Sequence, residues 1–143
     1  MIKVTKNPKE TEKLAGFLLG KILKNFSSKA VIIGLEGELG AGKTVFVRGL
    51  AMAFKIKSKI KSPTFNLIKH YKVGDRTLYH LDCYRFKNHK DLKILGIKEI
   101  LNNPKNIVLI EWSDRVKKIR PRQHIKIHID HISKKERRIS IKS

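Results

Sequence analysis

One glycine-rich stretch limits the possible folds of this chain more than any other feature. It reads GELGAGKT, from Gly37 to Thr44, and fills every fixed position of the pattern G-x-x-x-x-G-K-[ST]. The apolar run AVIIGLEG leads into it, and the helix-like stretch TVFVRGLAMAF follows it. Because this type of loop joins a buried strand to a helix, the context predicts a P-loop in a mostly parallel sheet.

The residue types of this loop suit the binding of phosphate. Glycines let the backbone approach a phosphate closely, while exposed N–H groups and the following helix N-terminus attract its negative charge. Lys43 supplies a positive charge for the β- and γ-phosphates, and Thr44 supplies a hydroxyl for Mg²⁺. The loop therefore predicts binding of a nucleoside triphosphate. The predicted nucleotide-binding residues here are Glu38, Leu39, Gly40, Ala41, Gly42, Lys43 and Thr44.

Two acidic residues that end apolar runs are candidates for the Mg²⁺ shell that a P-loop protein needs. Asp82 ends LYHLD, and Glu111 ends the more apolar NIVLIE. Ligands of open α/β sheets bind at the carboxyl ends of the strands, which is where both residues are expected. The alternative for each is a solvated or salt-bridged surface carboxylate. The scarcity of acids in the chain, 12 in all, favours a functional role.

Other polar and aromatic residues carry weaker signals. Ser62-Pro63-Thr64 follows a basic loop and could be a switch that brings a hydroxyl to the γ-phosphate, although a simple turn explains the tripeptide better. Trp112 directly follows Glu111, and core or interface packing is its simplest explanation. His70 and His80 lie on strand patterns and are compatible with ordinary strand positions.

The remaining elements predict a single domain over residues 1–143. NPKETEKLAGFLLGKILKNF predicts a helix capped by Asn7, with Pro8 first, Glu10 in a capping box and a buried stripe. That stripe consists of Leu14, Leu18, Ile22 and Leu23. FNLIKHYKV and TLYHLDCYRF predict a hairpin around Gly74-Asp75, and NHKDLKILGIKEILNN predicts a helix interrupted or ended near Gly96. HIKIHIDHI and RRISIK predict a second hairpin.

Charge is the unusual feature of the composition. The chain has 33 lysines and arginines against 12 acidic residues, a formal net charge of +21. Such a charge attracts polyanions such as RNA, but codon bias in an A·T-rich genome also produces lysine-rich chains. No apolar run is long enough to span a membrane, no secretory signal is visible, and Cys83 is the only cysteine. A cytoplasmic protein is therefore expected.

Missing motifs narrow the functional classes. The chain lacks the N-K-x-D sequence of guanine recognition and the H-R-D and D-F-G sequences of protein kinases. A small-molecule kinase remains an alternative, although a hairpin occupies the region where an arginine-rich lid and an acceptor segment are expected. An RNA-binding module with a purely structural ATP is a further alternative.

Taken together, the motifs resemble those of the TsaE family, bacterial ATPases required for threonylcarbamoyladenosine formation in tRNA. GELGAGKT, SPTF, YHLDCYR, LGIKEI and IEW occur in the order and approximate spacing of that family, from about Thr11 to the C-terminal hairpin. The resemblance implies an α/β fold, a three-layer P-loop NTPase-like sheet, mostly parallel, with antiparallel hairpin additions. It also implies slow hydrolysis of ATP with Mg²⁺, in the turnover of a complex with two partner proteins, one of them the catalytic transferase subunit. Direct contact with tRNA stays open.

The same resemblance implies roles for individual residues. Gly40 to Thr44 match the phosphate-binding positions, and Thr44 and Glu111 match positions linked to Mg²⁺. Asp82 and Thr64 match residues tied to activity, and Thr11 matches a threonine near the base of the nucleotide. Trp112 then becomes a candidate partner or switch contact.

Two stretches depart from the family pattern. EWSDR follows the strand where many relatives have proline or alanine after the tryptophan, which leaves the shape of that loop open. SKKERRIS stands where relatives often have a glycine–arginine pair near the nucleotide. Lys135, Arg137 and Arg138 are therefore alternative candidates for that position.

Overall fold

The computed structural model describes residues 1–22, 29–38, 40–56, 68–84 and 96–142. Leu39, Thr64 and the rest of the SPTF motif lie outside these ranges, as do residues 85–95, which include most of the YHLDCYR-to-LGIKEI connection.

Seven strands form one mixed sheet in the order β1-β7-β6-β2-β5-β4-β3. The four central strands β6, β2, β5 and β4 pair in parallel, while β3, β7 and β1 add antiparallel pairs at the two edges. This arrangement confirms the predicted α/β class and both predicted hairpins. The strands are β1 (Ile2–Thr5), β2 (Val31–Glu36), β3 (Ile68–Val73), β4 (Arg76–Asp82), β5 (Asn106–Glu111), β6 (Ile125–His131) and β7 (Arg137–Lys142).

Helices cover both faces of the sheet, which gives the predicted three layers. On one face, α1 (Pro8–Ile22) and α2 (Lys43–Ala53) pack against each other and against the central strands. On the other face lie α3 (Ile97–Asn102) and a short 3₁₀ helix (Ser113–Val116). Within the described ranges, no helix is long and apolar enough to cross a membrane.

The N-terminus of α1 has the expected cap. The Asn7 Oδ1 accepts a hydrogen bond of 3.0 Å from the backbone N–H of Glu10, and the Glu10 carboxylate accepts one of 2.7 Å from the N–H of Lys6. Leu18 is buried as predicted and Leu14 is half-buried. The rest of the buried stripe is Thr11, Ala15 and Leu19, whereas Leu23 and the Ile22 side chain lie outside the described part.

One element differs from the sequence expectation. The short strand β1 was not indicated by the pattern of MIKVT, whose large apolar side chains are exposed at the sheet edge. The interruption expected near Gly96 is found, since Gly96 has φ 75° and forms the N-terminal cap of α3, while the predicted helical stretch before it lies outside the described residues. A positive φ is easy for glycine and marks a boundary between elements.

Candidate functional site

The glycine-rich loop follows β2 and bends back under the N-terminus of α2. Gly37 has φ 145°, and a Cβ at this position would lie 2.5 Å from the carbonyl oxygen of Ile129. Gly42 has φ 100° and caps α2, where a Cβ would lie 3.3 Å from the Nε of Arg137. Only glycine satisfies both the backbone conformation and the close approach at Gly37. The loop is therefore shaped as the motif predicts.

Lys43 is the first residue of α2 and its ammonium group is held inside the loop. Its Nζ donates to the carbonyl oxygens of Gly37 and Glu38, at 2.5 and 2.8 Å. The same nitrogen lies 4.1 Å from the ring centroid of Trp112, within the range of a cation–π interaction. The loop carbonyls and the Trp112 ring therefore fix the position of the Lys43 ammonium group.

Asp82 and Glu111 are direct neighbours at the carboxyl ends of β4 and β5, as the sequence predicts. Burial lowers the pKa of Lys43, and the nearby carboxylates of Glu111 and Asp82 oppose that shift. Burial raises the pKa of the Cys83 thiol to about 12, and the same two acids add to it. Asp82 also accepts a 3.0 Å hydrogen bond from the N–H of Tyr84. The P-loop lysine therefore faces a concentrated negative charge.

His80 belongs to this arrangement, although the strand pattern alone favours an ordinary strand histidine. Its Nε2 lies 2.7 Å from the Oε2 of Glu111, and the His80 side chain is only 2% exposed. On β4, residues two apart point to the same face, so His80 and Asp82 share the side of the P-loop. This i, i+2 spacing was the sequence signal that could have identified His80. The hydrogen bond fixes the orientation of the Glu111 carboxylate.

Trp112 connects the acids to the P-loop. Trp112 has φ 59°, a strained conformation for a bulky residue. Its backbone N–H donates a hydrogen bond of 2.9 Å to the carbonyl oxygen of Leu35. The ring packs against Tyr84 with centroids 4.8 Å apart, and the Arg115 guanidinium lies 5.3 Å from it. The Trp112 side chain therefore both packs against its neighbours and contacts the Lys43 ammonium group.

A cleft beside the P-loop brings Thr11 close to the C-terminal hairpin. The Thr11 hydroxyl is buried and lies 2.7 Å from the Thr5 hydroxyl. The residues that line the cleft are Pro8, Thr11, Gly42, Val45, Lys134, Lys135 and Arg137.

The structure separates the three candidate cations of SKKERRIS, which are Lys135, Arg137 and Arg138. The Arg137 Nε donates to the carbonyl oxygen of Ala41 at 2.8 Å, which ties the hairpin to the P-loop. Lys135 lines the same cleft, whereas Arg138 alternates to the opposite face of β7 and is exposed. Arg137 and Lys135 are therefore positioned at the cleft and Arg138 is not.

Glu36 is a buried acid on the other face of the sheet. It was not identified from the sequence, because it lies within the apolar run AVIIGLEG. It accepts hydrogen bonds from Ser113 Oγ at 3.2 Å and Arg120 at 3.1 Å, and Lys126 Nζ lies 3.2 Å away. Burial acts to raise its pKa, but Lys126, Ser113 and Arg120 outweigh this, so the pKa of Glu36 is lowered. Because Gly37 follows directly, this cluster anchors the start of the P-loop.

The other predicted loop residues differ in accessibility. Ala41 is buried in the core, whereas Glu38, Gly40 and the Thr44 side chain are exposed. Leu39 and Thr64 lie outside the described ranges.

The donor set at this edge suits Mg²⁺ brought by a nucleotide. Mg²⁺ commonly uses one or two carboxylates plus phosphate oxygens and water, which Glu111, Asp82 and the Thr44 hydroxyl can complement. Across the described residues, no group of three or more His, Cys, Asp or Glu side chains could hold a metal by itself. A dedicated all-protein metal cage is thus not part of the described structure.

The family match and the similar proteins carry the same family name. The family described as "Threonylcarbamoyl adenosine biosynthesis protein TsaE" matches residues 5–139. A Haemophilus influenzae protein named "tRNA threonylcarbamoyladenosine biosynthesis protein TsaE" is 36% identical over 110 residues, covering 77% of this chain and 69% of its own length. The Bacillus subtilis protein of the same name is 35% identical over 136 residues, covering 95% of this chain and 81% of its own.

A solved structure has a similar fold. The crystal structure of YdiB from Bacillus subtilis matches with a TM-score of 0.77 and 31% sequence identity. The match covers 99% of this chain and 83% of that one.

Proposed function

The chain belongs to the TsaE family, and from that premise we propose that it is a Mg²⁺-dependent ATPase of slow turnover. It acts in the turnover of the complex that forms threonylcarbamoyladenosine in tRNA. The observation that carries this proposal is the convergence of Lys43, Asp82 and Glu111 at the carboxyl edge of the parallel strands. A P-loop lysine opposite two strand-end carboxylates is the arrangement that holds a triphosphate and its metal.

Different residues of the site are proposed to bind the phosphates of ATP and the Mg²⁺ ion. Backbone N–H groups from Gly40 to Thr44 and the Lys43 ammonium would hold the phosphates. Thr44 and Glu111 would hold Mg²⁺, which would supply positive charge to the phosphate oxygens. His80 keeps the Glu111 carboxylate in one orientation through their 2.7 Å hydrogen bond.

Hydrolysis requires a positioned water, and Asp82 is the proposed residue to orient it. Thr64, which lies outside the described ranges, is the proposed switch hydroxyl near the γ-phosphate. Lys43 bonds two loop carbonyls and contacts the Trp112 ring, which keeps its ammonium group in the loop where the β- and γ-phosphates are expected.

The cleft lined by Thr11, Lys135 and Arg137 is the proposed site for the base end of the nucleotide. The complex would contain two protein partners, one of them the catalytic transferase subunit, in the cytoplasm. Residues 1–143 then act as one ATPase domain whose hydrolysis resets the complex, while the modification chemistry belongs to the partner.

ATP turnover measured alone and with both partners tests the function. We expect slow release of free phosphate from the isolated chain and faster release in the complex. Fast turnover that the partners do not change would refute the proposal. Phosphate transferred to a component of a metabolite mixture, with none released, would instead identify a small-molecule kinase.

A further inference from the structure

Arg115 is an exposed arginine to which neither the motifs nor the proposed site gives a role. It belongs to the stretch EWSDR, whose departure from the family pattern left the shape of this loop open. The structure places it in the 3₁₀ helix that follows Glu111 and Trp112. Its backbone N–H donates a hydrogen bond of 3.0 Å to the carbonyl oxygen of Trp112. A tight turn therefore brings the arginine back towards the carboxyl ends of the strands.

The Arg115 side chain joins the segments that follow β4 and β5. Its Nη1 donates a hydrogen bond of 2.7 Å to the carbonyl oxygen of Tyr84. Its guanidinium carbon lies 4.9 Å from the ring centroid of Tyr84 and 5.3 Å from that of Trp112. Arginine suits both kinds of contact, because its planar guanidinium can lie against aromatic rings while its N–H groups donate hydrogen bonds. One side chain thus holds the backbone of Tyr84 and both aromatic rings.

Each aromatic partner of Arg115 contacts a residue of the proposed site. The Tyr84 backbone N–H donates a hydrogen bond of 3.0 Å to the Asp82 Oδ1. The Trp112 ring packs against the Tyr84 ring with centroids 4.8 Å apart, and it lies 4.1 Å from the Lys43 Nζ. Arg115 is therefore linked to Asp82 through Tyr84. Through Trp112 it is also linked to Lys43.

Trp112 needs support from its neighbours because of its backbone conformation. Its φ of 59° lies in the left-handed region, where a bulky residue stays only if its surroundings hold it. The carbonyl oxygen of Leu35 accepts a hydrogen bond of 2.9 Å from the Trp112 N–H. On the other side, the Arg115 N–H holds the Trp112 carbonyl, and the guanidinium lies beside the ring. Loss of the guanidinium therefore removes one restraint from a strained residue.

We propose that Arg115 is a positioning residue for ATP hydrolysis, which it supports by fixing the stacked pair of Tyr84 and Trp112. The proposal rests on the proposed function, in which Asp82 orients the attacking water. Because the Tyr84 N–H keeps the Asp82 carboxylate in one orientation, loss of Arg115 affects the hydrolysis step. ATP binding changes little, because Lys43 keeps its hydrogen bonds to two loop carbonyls.

Three variants test this role. Arg115→Ala removes the guanidinium, and Arg115→Lys keeps a positive charge and a hydrogen-bond donor without the planar group. Arg122→Ala is the matched control, because Arg122 is an exposed arginine in the segment before β6. Like Arg115→Ala, it lowers the net charge by 1, from +21 to +20. The control therefore separates the specific contacts of Arg115 from a general effect of charge.

Two measurements on the isolated full-length chain apply to each variant. The first is ATP turnover, which gives kcat and the KM for ATP. We expect Arg115→Ala to lower kcat about 10-fold, because a small misplacement of a catalytic group costs rate steeply, and to change KM by less than about 3-fold. The second is acrylamide quenching of tryptophan fluorescence without nucleotide, which reports the stack because Trp112 is the only tryptophan. Quenching should increase in Arg115→Ala, Arg115→Lys should recover part of both changes, and Arg122→Ala should behave as wild type.

Three outcomes would overturn the inference while the proposed function stands: an unchanged kcat in Arg115→Ala, a loss of kcat without a change in the quenching of Trp112, or an equal loss in Arg122→Ala. The first would show that the arginine only covers the aromatic rings. A wild type that hydrolyses no ATP would instead refute the proposed function, while the quenching still shows whether Arg115 holds the stack. Circular dichroism and thermal midpoints establish that each variant is folded.

Discussion

At the scale of single residues, the site depends on side chains that hold other side chains in place. His80 contacts Glu111, and Arg137 contacts the P-loop carbonyl of Ala41. Both contacts join groups of the chain itself and orient side chains of the proposed site. Residues such as His80 and Arg137 can influence a reaction by keeping other groups oriented. An oriented group needs no reorganisation free energy when the reaction occurs.

Replacing His80 tests this role in positioning. We expect His80→Ala to lower ATP turnover about 10-fold and to raise the Mg²⁺ concentration needed for half-maximal rate, because the Glu111 carboxylate loses its orientation. His80→Gln keeps a donor and should recover part of the loss. The measurement is turnover across a Mg²⁺ titration at saturating ATP.

The matched control for this experiment is His70→Gln on β3, where the histidine is exposed. Equal losses in the His70 and His80 variants, or an unchanged Mg²⁺ requirement in His80→Ala, would contradict the positioning role.

Glu36 predicts a dependence of stability on pH. Its pKa is lower in the folded protein than the ordinary value of 4.5, so its contribution is fully present above that value and is lost as the pH falls through the folded pKa. Glu36→Gln should lower the free energy of unfolding by about 1–3 kcal/mol at pH 7, because hydrogen bonds to a charged group are weakened.

Urea unfolding of wild type and Glu36→Gln from pH 7 to pH 3 measures this difference, which should shrink as the pH falls. Glu99→Gln, at an exposed position of α3, serves as the control and should change little. A difference that stays constant over the whole range would show that the Glu36 charge is not involved.

At the scale of elements, the contact between α1 and α2 sets the position of the P-loop. The loop ends at the N-terminus of α2, so the packing of that helix determines where its N–H groups point. Gly49 of α2 lies against the backbone of α1, where a Cβ would stand 2.6 Å from the carbonyl oxygen of Glu12. The two helix backbones therefore approach at a point where no side chain fits.

A pair of glycine substitutions measures this approach. Gly49→Ala should destabilise the protein by about 1–3 kcal/mol, because overpacking forces the helices apart. Gly20→Ala, in α1, meets no atom of the described residues within 4 Å and should stabilise the protein by about 0.5–1 kcal/mol through helix propensity. Thermal and urea unfolding give both values. Similar effects of the two substitutions would indicate that the α1–α2 contact is not tight.

At the scale of the whole molecule, the sheet has two faces with different cover. The proposed nucleotide site lies on the face of α1 and α2, and Glu36 lies on the opposite face, where it contacts Lys126. Because Glu36 directly precedes Gly37, contacts on that opposite face also hold the start of the P-loop.

Nucleotide binding should stabilise the entire fold through linkage. ATP with Mg²⁺ at 100 times its dissociation constant should add about 2.7 kcal/mol to the free energy of unfolding. Lys43→Ala should remove most of this gain, and chelation of Mg²⁺ should reduce it. Lys98→Ala, an exposed lysine of α3, should behave as wild type. Thermal unfolding with and without ATP measures these shifts, and a full shift in Lys43→Ala would contradict the assignment of the phosphate site.

Local features of the sequence determined much of this protein. The P-loop motif, the Asn7 cap and the Gly74 turn depend on hydrogen bonds and backbone angles within a few residues, and hydrophobic periodicity identified the buried strands. The strand-end positions of Asp82 and Glu111 followed from the same patterns. The motif series indicated the TsaE family, which the family match confirms.

The tertiary structure alone decided which distant residues meet. His80 and Glu111 are 31 positions apart, Glu36 and Arg120 are 84, and Arg137 and Ala41 are 96. Their contacts depend on strand order and on which face each side chain occupies, and no local pattern contains that information. Composition set the charge of +21, but only the fold brought Arg138 and Lys142 to one exposed face, because the pairing of β7 with β6 and β1 orients them there.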